Sequence, residues 1–139
     1  MKRHRLFSII IAVTVLGIMN HGLAQRERPT QSFMRQKLVY AQGLIEGISL
    51  ERFDLILTNA AALRDMSQTN AFLILRNPDY LQRITNFQAA VDGLTSVAKN
   101  KQTAGLLPAY AKVSESCVDC HRYFRRQQWP GREEGTNGK

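Results

Sequence analysis

Asn77-Pro78-Asp79-Tyr80-Leu81-Gln82-Arg83-Ile84-Thr85-Asn86-Phe87, continued by Val91, Leu94 and Ala98, is the most legible stretch of the chain. Asn is a good helix N-cap because its side-chain oxygen accepts from a free backbone N–H. Pro78 suits the first helical position, where no N–H is needed, and Asp79 sets a negative charge against the positive end of the helix dipole. Leu81, Ile84, Phe87, Val91, Leu94 and Ala98 then recur every three or four residues. That is the period of a helix with one apolar stripe.

The same period extends in both directions. Residues 31–48 carry Met34, Leu38, Ala41, Ile45 and Ile48 on one stripe, with Arg35, Gln36 and Gln42 off it. Ser49 reads as the N-cap of a second helix, with Glu51 in its first turn and Phe53, Leu57, Ala60 and Leu63 or Arg64 on its stripe to about residue 67. A fourth helix is expected from Pro108, or a few residues before it, to Gln127. Tyr110, Val113, Cys117, Cys120, His121 and Phe124 line one side of it. Residues 68–76 form the longest link. Phe72, Leu73, Ile74 and Leu75 make it too apolar to stay in water, so it is expected to fold over the bundle. No segment alternates as a strand does. Four amphipathic helices with short links predict an all-α, antiparallel four-helix bundle.

Composition agrees. The chain has 139 residues, 44% of them hydrophobic and 22% charged, with a formal net charge of +8. This is one domain's length and a globular balance. Two Cys and three His are too few for a disulfide scaffold or a His-rich metal site. The first residues have another purpose. A basic head (Lys2, Arg3, Arg5) precedes an apolar run from Leu6, and Gly22 and Ala24 supply the small residues of a cleavage site. This is the layout of a secretory signal over residues 1–24, with an apolar run short of a membrane span. The expected organisation is a signal at 1–24, a helical domain at 25–127 and a frayed tail at 128–139. The mature protein is expected to be exported, to the periplasm or beyond, with no stable membrane insertion after cleavage. Its basic surplus is scattered and has no stripe with interleaved aromatics, which argues against nucleic acid as a partner.

Cys117-Val118-Asp119-Cys120-His121 carries the chemistry. C-x-x-C-H is the attachment sequence of c-type haem: each thiol adds to a vinyl group and the His ligates iron. On a helix, residues three and four apart share a face, so all three side chains project together. Rival readings are weaker. A dithiol redox pair belongs beside a βαβ unit, which is absent. A structural zinc needs about four ligands, and after signal removal His121 is the only histidine. A disulfide between such close residues would close a very small loop and stabilise little. The expected cofactor is one haem c, held covalently through Cys117 and Cys120, with His121 as the axial iron ligand.

Cys117 to Arg125 resembles the cytochrome c′ family, a four-helix bundle whose C-x-x-C-H-x-x-(Phe/Tyr)-Arg lies in its last helix. The stretch Arg35 to Val39 is similar to that family's first helix. The resemblance implies that Phe124 packs near the haem, that Arg125 lies close to the axial imidazole, and that Arg35 lies at the haem edge. It also places Val39 on the distal side of the iron, where low-spin relatives carry a Met ligand; Val has no donor atom. Met34 and Met66 are expected to fill the core, and Lys37 to sit on an exposed face. The resemblance implies single-electron transfer with a redox partner protein, and is compatible with a homodimer. The alternative is a five-coordinate haem module for a small diatomic gas such as nitric oxide or carbon monoxide. No distal acid–base residue can be assigned, so the chain is not expected to be an enzyme.

Overall fold

The computed structural model describes residues 29–69, 72, 74–75 and 77–128, and among these it is helical throughout apart from the links. The helices are α1, Pro29–Ser49; α2, Phe53–Met66; α3, Pro78–Lys99; and α4, Thr103–Gln128. The expected leader lies outside the described residues, and so does the tail beyond Gln128. Among the described residues, Phe33 to Gln128 form one compact unit.

Two of the three links share one design. At the end of α1 the Arg52 N–H donates to the Gly47 carbonyl at 2.8 Å, and the Glu51 N–H to the Ile48 carbonyl at 3.2 Å. At the end of α3 the Gln102 N–H donates to Val97 and the Lys101 N–H to Ala98, both at 3.1 Å. These are Schellman closures, which need a left-handed residue just past the helix. Glu51 and Lys101 fill that position, each at φ 52°, where glycine would be unstrained. This turn corrects one expectation. Ser49 does not cap α2; it remains in the last turn of α1, where its hydroxyl donates to the Ile45 carbonyl at 2.8 Å. Arg52 takes the cap position of α2 without a side-chain cap bond.

The cap expected on α3 is present. The Asn77 Oδ1 accepts from the Tyr80 N–H at 2.9 Å, with Pro78 at the first helical position. The 68–76 link does fold inward at Phe72, which is 2% exposed. The Tyr80 hydroxyl fastens it, donating to the Phe72 carbonyl at 2.7 Å.

Adjacent helices run antiparallel. Gly43 and Gly47 of α1 face Asn59 and Ile56 of α2 in reverse order. Arg64 and Ser67 of α2 meet Asp92 and Gln88 of α3. Gly105 and Asp119 of α4 meet Val97 and Arg83 of α3. The Tyr110 hydroxyl of α4 donates to the Ala41 carbonyl of α1 at 3.4 Å, which closes the bundle.

The core differs from the sequence pattern in its first helix. Phe33, Lys37, Tyr40, Leu44, Gly47 and Ile48 turn inward, while Leu38 is 56% exposed and Ile45 also faces outward. The glycines explain this rotation. A Cβ at Gly43 would lie 2.5 Å from the Asn59 Oδ1, and one at Gly47 2.8 Å from the Ile56 Cγ1 and 3.1 Å from its backbone N. The glycine face is therefore the face that lets α1 and α2 approach, and it sets how α1 is turned. In α3, Leu81 is partly exposed and Tyr80 is buried instead.

Candidate functional site

The C-x-x-C-H sequence lies in the second half of α4, and helical spacing places its three chemical groups on adjoining positions. Cys117 and Cys120 are half-buried and pack against the core; both are free thiols. Burial pushes both thiols up from their ordinary value, only partly opposed by the Lys37 charge, so they stay neutral. His121 follows at a more exposed position. Its pKa is lowered by partial burial first, then by the positive charges of Lys37 and Arg125, which favours the neutral imidazole that binds metals. Among the described residues no three His, Cys, Asp or Glu side chains converge on a single ion.

Two anchors hold this part of α4 against α3. Asp119, inside the motif, pairs with the Arg83 Nε at 3.2 Å. The Arg83 guanidinium lies 4.2 Å over the Tyr123 ring, and the Tyr123 hydroxyl donates to the Asn77 Oδ1 at 2.9 Å. Asn77 thus accepts from both the α3 backbone and the motif helix. Tyr80, 6.5 Å from the Tyr123 ring, is pushed up to about 12 by burial and by the charge that Cys120 can carry.

Facing the motif is a row of three aromatic rings. Phe33 and Phe72 lie 6.2 Å apart, and Phe72 and Phe87 lie 6.0 Å apart. The Lys37 Nζ sits 4.0 Å from the centre of the Phe72 ring and 4.1 Å from that of Phe87. It is close enough to Cys117, Cys120 and His121 for their charges to interact. This overturns the exposed position expected for Lys37. The cause is the glycine-set rotation of α1, which turns Lys37 in and leaves Val39 out.

The other residues singled out in the sequence are placed as follows. Arg125 is one turn beyond His121, within electrostatic reach of its ring. Phe124 is half-buried, and Tyr123 rather than Phe124 packs against the core. Arg35 is exposed, and Val39 is 51% exposed. Met34 is half-buried against the core, and Met66 is half-buried at the end of α2. Sequence reading missed Lys37, Phe33, Phe87, Tyr80 and Tyr123. One signal was available: Gly43 and Gly47, four apart, mark a close-packed face that continues back through Tyr40 and Lys37 to Phe33.

Haem c suits this set of residues. Two neutral thiols three residues apart, an adjoining neutral imidazole and exposed apolar Val118 between the cysteines match its two vinyl groups, its iron and its flat apolar ring. The fold and the site together define a four-helix-bundle protein of the c-type haem class. A family model described as Cytochrome C' matches residues 53–125, more than half of the chain. The chain therefore belongs to the cytochrome c′ family of c-type haem proteins. The match begins at the first residue of α2, so α1 is outside it. No curated protein and no solved structure matches. Among the described residues no helix is long and apolar enough to cross a membrane.

Proposed function

We propose that the chain is an exported carrier of single electrons built on one haem c, bound through thioethers to Cys117 and Cys120, with His121 as an axial ligand. The observation that carries this reading is the placement of both thiols and the imidazole on the inner and edge positions of α4, opposite the aromatic row. Haem, when bound, supplies the one-electron change of its iron. Cys117 and Cys120 would hold the haem by addition of each S–H across one vinyl double bond, the sulfur to one carbon and the hydrogen to the other, which would consume no oxidant. Partial burial first, and then neighbouring positive charge such as that of Arg125, favours the neutral His121 imidazole, whose lone pair is free for a metal. The Asp119–Arg83 pair and the Tyr123–Asn77 hydrogen bond fix the motif helix on α3, which favours small rearrangement between oxidation states. A carrier needs a haem edge near the surface and a complementary partner; the scattered basic charge suits an acidic one.

The test is the optical spectrum of protein made with haem-maturation machinery, reduced with dithionite, before and after carbon monoxide. Sharp low-spin bands that ignore carbon monoxide fit the carrier. A broad high-spin spectrum that shifts with the gas would instead make the protein a diatomic-gas module. N-terminal sequencing of the periplasmic fraction tests export, with Gln25 expected first.

A further inference from the structure

We propose that the Lys37 amine, carried by α1 over the Phe72 and Phe87 rings toward Cys117, Cys120 and His121, is the second protein ligand of the haem iron. The inference rests on the haem reading above and adds to it the identity of the sixth ligand.

Position comes first. The Nζ lies about equally close to two ring faces, 4.0 and 4.1 Å, within the core cluster against which Cys117 and Cys120 also pack. The rings confine the long side chain, so the amine is presented rather than free to sweep. Phe72 is itself pinned by the Tyr80 hydroxyl, which makes the platform under Lys37 part of the fold.

Chemistry comes second. Among the described residues no carboxylate pairs with Lys37. An ammonium held only by aromatic faces gains less than it loses on leaving water. A neutral amine has a lone pair, and nitrogen is a good ligand for haem iron. If Lys37 starts as the ammonium, its Nζ would give one proton to water, and the lone pair so freed would bind iron with no change of oxidation state.

The rivals are less well placed. Val39 is two residues on, ~200° around the helix from Lys37, so the two cannot face one point. It also has no donor atom. Met34 packs into the core, and Met66, half-buried in the last turn of α2, is not among the residues packed against the aromatic row or the core.

The experiment compares holoprotein with Lys37→Ala and Lys37→Arg variants. Haem staining after denaturing electrophoresis reads attachment; ferric optical and electron paramagnetic resonance spectra at one pH read the ligand. Arg keeps the positive charge and the ring contact but does not ligate. The expected result is a low-spin wild type and near-complete conversion to high spin in both variants, with haem retained. A high-spin wild type overturns the proposal. So does a low-spin Arg or Ala variant, which would assign Lys37 to charge pairing or the iron to a methionine. Should the Ala variant fail to fold, the Arg variant stands with a second measurement on ferrous wild type. Lysine side-chain resonances shifted far upfield by the macrocycle ring current support ligation, and their absence overturns it. Loss of the stained haem band in the wild type would instead defeat the haem reading.

Discussion

At the end of the bundle where α1 turns into α2 and α3 into α4, Leu44, Ile56, Leu94, Ala98 and Leu106 are at most 1% exposed. At the opposite end, between the start of α1, the 68–76 link and the last half of α4, apolar packing is interleaved with groups that can change charge: Lys37, Tyr80, Cys117, Cys120 and His121. Both ends are closed by the same four helices. The first end is a dry aliphatic core, where each fully buried Leu contributes about 1.5–3 kcal/mol. The second buries Phe72, Tyr80 and Phe87 as well, but sets a lysine over two of those rings and two thiols in the same cluster. Perturbed titratable groups gathered at one end of a fold mark the working end.

The largest effect is expected from the working end. Replacing Cys117→Ala together with Cys120→Ala removes covalently bound haem altogether, read by haem staining after denaturing electrophoresis. Retention of haem through that gel would break the contrast. Next is the dry end: Leu94→Ala is expected to cost about 2–5 kcal/mol in urea unfolding while leaving the haem spectrum of the folded protein unchanged. A spectral change would mean that the two ends are coupled. Asn77→Ala is intermediate. It removes the acceptor for both the Tyr80 N–H and the Tyr123 hydroxyl, so a loss of about 1–2 kcal/mol is expected, with some disturbance of the motif helix. The smallest effect is a gain. Lys101→Gly relieves a left-handed residue at the dry end and is expected to stabilise by about 1 kcal/mol, measured as a raised thermal midpoint with an unchanged spectrum.

Much of this was legible in the chain. Asn77-Pro78-Asp79 announces α3 because a cap, an N1 proline and a first-turn acid act over neighbouring residues. Cys117, Cys120 and His121 announce their chemistry because covalent attachment fixes their spacing. The Schellman turns were missed because their left-handed residues are Glu51 and Lys101, not the glycine that flags such a turn. The stripe of α1 was read correctly at Met34, Ala41 and Ile48 but wrongly at Leu38 and Ile45, because residue size suggested those two while the close approach of α2 at Gly43 and Gly47 turns Lys37 and Leu44 inward instead.

Residues within four or five positions of one another thus settled the helical class and the haem-attachment sequence, since the 3.6-residue period and the C-x-x-C-H spacing are local constraints. The inward rotation of α1 and the meeting of Lys37 with Phe72, Phe87, Cys117 and Cys120 came only with the tertiary structure. They bring together residues up to some eighty positions apart, and which face of α1 turns inward depends on how closely α2 can approach its glycines.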